Sequence, residues 1–420
     1  MSRPPKVIIF TTIDWAATAQ LGLALTKKGF EVATIAPRDH GIRNVGGIKT
    51  HFRSVSYSAR ASFVAQTIQR WMPDMMIPCD DLATCCLYDL HSDVVGGPGR
   101  GSDIIKEVLE KSLGDPASYS VARKKSKFMA FATGEGLRVP ETVEINGPKD
   151  LANRLETSTF PQVLKLDGTS SGLGVRIVND EREGKRAYHD LVAMFGWRRA
   201  SKRALKQLSL KPFVRRSNNE IPSITLQRYI AGAPANRAVL CWRGEVLAGL
   251  SVEAVKTAHV TGPATVVRVL DNAQMAEVSE YVVRRLGLSG FVGFDFILEA
   301  TSDRAFLIEM NPRPTPICHL SLDRQRDMTG ALFAKLAGSE PRRSDLRFPG
   351  KVITLFPGES WRDPNSEYLS SCYHDVPWEE PKLVSAYARP SSPNSFKWIS
   401  KLCSHLLEAL WSRQAVGGSG

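Results

Sequence analysis

No stretch of the 420-residue sequence stays apolar long enough to cross a bilayer. The longest apolar runs, such as Val7 to Phe10, fall far short of the roughly 20 residues a spanning helix needs. The N-terminus passes from Met1-Ser2-Arg3-Pro4-Pro5 directly into strand-like sequence, without the apolar region and cleavage site of a secretory signal, so export is not expected. Cysteine is sparse: seven residues, at 79, 85, 86, 241, 318, 372 and 403, odd in number and without CxxC spacing. That argues against a disulfide framework and a zinc site, and a reducing cytoplasm fits best. The first helix follows Thr11-Thr12-Ile13-Asp14 and not G-x-G-x-x-G, so the fingerprint a nicotinamide enzyme needs at this turn is missing. The formal charge of +12 comes without the aromatic and basic interleaving of single-strand binders, and nucleic acid is not an expected partner. A solvated basic surface accounts for it, and phosphate-rich nucleotides would satisfy it equally well.

What is present calls for two or three packed units sharing a cleft, because the chain is too long for one ordinary core. Lys6 to Thr11 reads as a buried strand, Trp15 to Lys28 as a helix ended by Gly29, and Glu31 to Ala36 as a second strand, a doubly wound opening. Asp74 to Pro78 adds a strand, followed by Asp80-Asp81 and a helix to about Leu90. Residues 1–118 form this first unit. Tyr119 to Gly136 reads as one basic helix, and α+β alternation continues to Gly338-Ser339-Glu340-Pro341. Residues 339–420 form a C-terminal extension with strand-like Val352 to Phe356 and an amphipathic helix from about Phe396 to Trp411. Packing on its own protein is the plain reading of that helix. Contact with a membrane surface, through Lys397, Trp398 and Lys401, is the weaker one, and the same helix is the candidate contact of a homodimer.

The strongest chemical signal is Phe294-Asp295-Phe296-Ile297-Leu298-Glu299, a turn around Ser302-Asp303, then Phe306-Leu307-Ile308-Glu309-Met310-Asn311-Pro312-Arg313. It reads as a β-hairpin. With the turn centred on Ser302, Asp295 lies across from Glu309, and period-two alternation puts Glu309, Asn311 and Arg313 on one face. Opposed carboxylates are destabilising unless a cation lies between them, and magnesium takes one or two carboxylates together with substrate phosphates.

A second signal is Phe160-Pro161-Gln162-Val163-Leu164-Lys165, a strand ending in lysine, followed by Gly168-Thr169-Ser170-Ser171-Gly172-Leu173-Gly174-Val175. A flexible loop whose N–H groups and hydroxyls close over phosphates beside a lysine suits a polyphosphate tail. It is not a G-x-x-x-x-G-K-[ST] loop.

Taken in order, lysine and glycine-rich loop, hinge strand, then Asp…Glu-x-Asn-x-Arg hairpin, the chain resembles the ATP-grasp superfamily over residues 1 to about 338. The similarity points to the carboxylate–amine ligase type, like carbamoyl-phosphate synthase and biotin carboxylase. The resemblance implies an α/β and α+β architecture: a Rossmann-like preceding domain (1–118), one ATP-grasp subdomain with the phosphate loop (119–225), and a second with hinge and metal hairpin (226–338). It implies ATP with magnesium, or manganese in its place, and small-molecule carboxylate and amine substrates joined through an acyl phosphate. Lys125, eleven residues before Gly136 of Gly136-Leu137-Arg138-Val139-Pro140, matches the family's first phosphate lysine, and Lys165 the second. Gly168, Ser170, Ser171, Gly172 and Gly174 would cover the phosphates. Gln227, Arg228, Tyr229 and Ile230 match the adenine hinge, with Gln227 toward the exocyclic amine and the backbone of Arg228 and Ile230 toward the ring. Asp295, Glu309 and Asn311 would hold magnesium, and Arg313 would stabilise the activated carboxylate, unless it merely pairs with Asp295 or Glu309. Gly232-Ala233-Pro234 departs from the family in lacking an acid for the ribose. Arg268 ranks first among the basic residues expected to face substrate, ahead of Arg237 and Lys256, and His319 is a further candidate for the acceptor site. An ATP-grasp phosphotransferase and a catalytically silent nucleotide-binding module are the rival readings.

Overall fold

The computed structural model describes residues 3–53, 60–95, 100–169, 172–205, 223–339 and 352–388. Ser170, Ser171 and the amphipathic helix expected at 396–411 lie outside the described residues. The first sheet is built from β1 (Lys6–Phe10), α1 (Ala16–Lys28), β2 (Glu31–Ala36), β3 (Thr50–Arg53), α2 (Arg60–Trp71), β4 (Met75–Pro78), α3 (Asp81–Val95) and α4 (Arg100–Leu113). Its order is β3-β2-β1-β4, every pairing parallel. The central strands β1 and β4 are buried apolar runs, as expected where helices cover both faces, whereas the edge strand β3 is polar and only partly buried. Gly29 ends α1 at φ 97°, a left-handed position open to glycine at little cost, and its N–H caps the last carbonyls. Strands β1 and β4 are neighbours, so the turns after them, Thr11 to Trp15 and Asp80-Asp81, emerge together at the carboxyl end of the sheet, where ligands of open α/β sheets gather.

The basic helix expected from Tyr119 to Gly136 is two helices, α5 (Tyr119–Arg123) and α6 (Lys125–Gly134), broken at Lys124, whose backbone is extended at φ −118°, ψ 124°. Lys125 therefore opens a helix. A small antiparallel sheet follows: β5 (Thr142–Ile145), α7 (Pro148–Glu156), β6 (Gln162–Leu166), β7 (Val175–Val178), α8 (Glu181–Leu205) and β8 (Ile224–Arg228), in the order β5-β8-β6-β7. The boundary read at 225 falls inside β8. Its core is its own, built on Leu151, Leu155, Leu164, Leu191 and Leu226.

The main sheet comprises β9 (Gly232–Trp242), β10 (Glu245–Thr257), β11 (Ala264–Leu270), β12 (Gly290–Glu299), β13 (Ala305–Asn311), β14 (Val352–Thr354) and β15 (Tyr373–His374), with α9 (Ala273–Arg285), α10 (Met328–Ala337), α11 (Gly358–Arg362), α12 (Tyr368–Ser371) and α13 (Pro381–Tyr387) around it. The order is β13-β12-β9-β10-β11-β14-β15. Alternation divides its side chains between two cores. Val239, Phe294 and Phe296 join Ile8, Phe10 and Leu87 of the first domain, Phe128 of α6 and Met275 and Val282 of α9. Leu240, Leu250 and Val267 join Leu21 and Leu25 of α1, Leu332 of α10 and Leu383 of α13. Each fully buried phenylalanine contributes roughly 1.5–3 kcal/mol. The first domain, the main sheet and the described part of the extension thus share their cores, and only the small sheet stands apart. Among the described residues no helix is long and apolar enough to cross a membrane.

Candidate active site

Strands β12 and β13 pair as the hairpin predicts where the chemistry lies: Gly293 faces Asn311, Phe294 faces Met310 and Asp295 faces Glu309. Beyond Asp295 the register slips by one, so Phe296 faces Leu307 and Ile308 is the extra residue of a bulge. The symmetric turn about Ser302 is corrected there. At that bulge the Lys165 ammonium donates to the Ile308 carbonyl at 3.4 Å, bringing the small sheet onto the hairpin.

Asp295 accepts from Asn236 Nδ2 at 2.7 Å and from Asn311 Nδ2 at 3.0 Å. Lys125 Nζ pairs with Glu309 at 2.8 Å and donates to the Thr169 carbonyl at 3.1 Å. Burial, and then the Glu309 charge, push the Asp295 carboxyl up to about 6. Burial pulls the Lys165 ammonium down to about 8, against the attraction of Glu309. For Lys125 burial acts in the same direction, but Glu309 and Asp81 outweigh it and raise its pKa. Two acids and two lysines therefore share one partly dehydrated place, where burial works against the charged forms of Asp295 and Lys165.

Arg313 is 7% exposed. Its Nε donates to Asp81 Oδ1 at 2.6 Å, its Nη2 to Asn311 Oδ1 at 3.2 Å, and its guanidinium carbon lies 5.6 Å from the Trp15 ring centre. The expected structural alternative, an ion pair to Asp295 or Glu309, is replaced by one to Asp81 of the first domain.

In the glycine-rich loop, Gly168 and Gly172 have φ 74° and 72°. A Cβ on Gly168 would meet open space, whereas one on Gly172 would lie 1.8 Å from the Thr261 carbonyl oxygen. Thr261 Oγ1 donates to the Gly172 carbonyl at 3.3 Å, so the loop rests on the turn between β10 and β11. Gly174 is packed on the Thr169 hydroxyl. At the hinge, Gln227 is buried and its Nε2 donates to Thr142 Oγ1 at 2.8 Å. The Arg228 N–H donates to the Glu141 carbonyl at 2.9 Å, which removes it as a donor to a ring, and its guanidinium lies 5.6 Å from the Phe306 ring centre. Tyr229 is half-buried and Ile230 buried.

Arg268 is not brought to this cluster. It faces Glu253, which faces Ala235, which faces Phe296, one row along from the row that holds Asp295 and Asn236, so its side chain leaves by the opposite face. Three strand spacings, about 14 Å, also separate β11 from β12. Its guanidinium, 48% exposed, pairs with Glu253 at 3.0 Å. Arg237 anchors α9 to the sheet, donating to Ser279 Oγ at 2.9 Å and Ser251 Oγ at 3.0 Å. Lys256 lies 5.7 Å from the Tyr368 ring centre, and His319 is tied to buried Asp375 at 3.0 Å. Two residues escaped sequence reasoning. Asp81 carried a visible signal, an Asp-Asp pair after a strand, while Asn236 carried none, since only strand order places it beside Asp295.

Among the described residues no group of three or more His, Cys, Asp or Glu converges on one point. Two carboxylates and an amide, facing two lysines, fit magnesium that completes its octahedron with phosphate and water.

A profile of the ATP-grasp domain matches residues 208–316. No curated protein matches the chain by sequence. Solved structures do match by fold. An L-amino acid ligase from Bacillus licheniformis superposes with a TM-score of 0.55 at 16% identity, over 82% of this chain and 77% of that one. The biotin carboxylase domain dimer of the 2-oxoglutarate carboxylase of Hydrogenobacter thermophilus, in complex with MgADP and bicarbonate, gives 0.54 at 13%, over 81% and 71%. Phosphoribosylamine–glycine ligase from Thermotoga maritima gives 0.52 at 14%, over 82% and 78%. The chain thus carries a match to the ATP-grasp domain over residues 208–316 and shares its fold with these solved structures.

Proposed function

We propose that the protein is a magnesium-dependent ligase that spends ATP to join a small-molecule carboxylate to an amine. The observation that carries this reading is the meeting of Lys125 and Lys165 with Asp295 and Glu309, across the gap between the small sheet and the main one. The fold neighbours named as ligases support the reaction class.

Lys125 and Lys165 bind the phosphates, the loop from Gly168 to Gly174 covers them, and the strand around Gln227 receives the adenine. Magnesium held by Asp295, Glu309 and Asn311 supplies neutralisation of the polyphosphate charge. The substrate carboxylate attacks the γ-phosphorus and ADP leaves. The amine then attacks the acyl carbon of the resulting acyl phosphate, inorganic phosphate leaves, and the amine loses its proton to solvent. Arg313, fixed beside Asn311, faces the charge that develops on the activated carboxylate. The protein thus works by positioning and charge compensation.

Release of ADP and phosphate from ATP with magnesium, against carboxylates and amines singly and in pairs, tests the reading. A requirement for a pair, with a hydroxamate formed when hydroxylamine replaces the amine, supports it. A stable phosphorylated product and no hydroxamate makes the enzyme a phosphotransferase instead. ADP binding without turnover from any pair leaves a nucleotide-binding module.

A further inference from the structure

Strand β13 ends at Asn311, so nothing in the hairpin ladder fixes the direction of Arg313, two residues on. The partners that hold it come largely from the first domain: the Asp81 carboxylate at 2.6 Å and the Trp15 ring. Asp81 is itself held. It is the first residue of α3, and its neighbour Asp80, 2% exposed, accepts from Thr11 Oγ1, Thr12 N, Thr12 Oγ1 and Ala83 N, which pins the start of the helix to the end of β1. On the other side the contacts continue inward. Arg313 Nη2 donates to Asn311 Oδ1, which fixes the amide so that its Nδ2 donates to Asp295. Hydrogen bonds anchor Asp80 to the end of β1, and from its chain neighbour Asp81 they continue through Arg313 and Asn311 to Asp295.

We propose that Asp81 is a positioning residue: it aims the Arg313 guanidinium and, through Asn311, sets the geometry of the metal-binding acids, so that the first domain completes the active site. The inference rests on the proposed ligase reading for the identity of the inner groups. The Arg313–Asp81 contact is a single charge-assisted hydrogen bond from Nε to Oδ1, and the removal of outer partners of a metal site typically costs about 10- to 100-fold in affinity or activity.

The test uses the full chain with Asp81→Asn, Asp81→Glu, and Asp74→Asn as a control at the opposite end of the first sheet, where Asp74 pairs with Arg3. Thermal melts first establish that the variants fold. ADP affinity is then measured by calorimetry with and without magnesium, and kcat and KM for ATP with whichever carboxylate–amine pair the release assay selects. Asp81→Asn is expected to leave metal-free ADP affinity and KM for ATP within about twofold, while the gain in ADP affinity on adding magnesium, and kcat, fall about 10- to 100-fold. Asp81→Glu should recover part of that loss, and Asp74→Asn should match the unaltered chain. A folded Asp81→Asn protein with unchanged magnesium dependence and kcat would overturn the proposal. Failure of the unaltered chain to gain any ADP affinity from magnesium is a different result, which would overturn the ligase reading itself.

Discussion

At the scale of single residues, burial pushes Asp295 and Lys165 toward their uncharged forms. The Asp295 carboxyl, near 6, is above an unfolded carboxylate at about 3.9. Between those values the folded chain keeps a proton that the unfolded chain has lost, so this group makes the fold less stable as pH rises through that window. Lys165, near 8, lies below an unfolded lysine at about 10.4; there the unfolded chain holds the extra proton, and stability rises with pH across that interval. Asp295 must ionise to take a metal. ADP with magnesium should therefore raise the melting temperature more at about pH 7.5 than at about pH 5.5, with proton release at the lower pH. Equal shifts at both, in scanning calorimetry, would count against Asp295 as a ligand. Arg268 gives the opposite kind of prediction. Its exposed pair with Glu253 is worth about 0–1 kcal/mol, so Arg268→Ala should leave turnover within about twofold. A large loss of kcat would restore the role that the sequence suggested for it.

At the scale of elements, what was legible is what lies within one hairpin. Alternation and a short turn set Asp295 opposite Glu309, and the structure keeps that register up to the bulge at Ile308. The bulge was not legible, because an extra residue changes no residue type. Nor was the break at Lys124, since basic residues are good helix formers on either side of it. The position of Arg268 was not legible for a related reason: which face it presents depends on the pairing of β9, β10 and β11. Asp81 and Asn236 needed the strand order itself. The glycine-rich loop offers a further test. Alanine at Gly168, with open space around it, should cost about 1 kcal/mol for its positive φ. Alanine at Gly172 must also displace the Thr261 carbonyl, so Gly172→Ala should raise KM for ATP several-fold more than Gly168→Ala does. Equal KM values would show that the rest on Thr261 plays no part in closing the loop.

At the scale of the whole molecule, three sequence segments are one packed body. Leu383 of α13 lies in the same core as Leu21 and Leu25 of α1 and Leu250 of β10, and Tyr387 donates its hydroxyl to Asp14 at 2.5 Å, close to the turn that carries Trp15. The extension was read as separate because the dense alternation ends at Gly338-Ser339-Glu340-Pro341, yet β14 pairs with β11 and β15 with β14, which extends that side of the sheet. Leu383→Ala should accordingly cost about 2–5 kcal/mol and lower one shared unfolding transition. An early, separate transition in calorimetry, with the main one unchanged, would show the extension to be an independent appendage. The small sheet keeps a core of its own and meets the rest through polar contacts such as Lys165 to the Ile308 carbonyl and Thr261 to the Gly172 carbonyl.

In the proposed function Glu309, facing Asp295 and bound to Lys125, would hold the metal on which phosphoryl transfer depends. The most direct measurement is ADP release from ATP and magnesium, with a panel of carboxylate and amine pairs, by the unaltered chain and by Glu309→Ala side by side. The account predicts release that requires a pair in the first and a loss of at least about a thousandfold in the second, with the fold retained. Undiminished release by Glu309→Ala would contradict it.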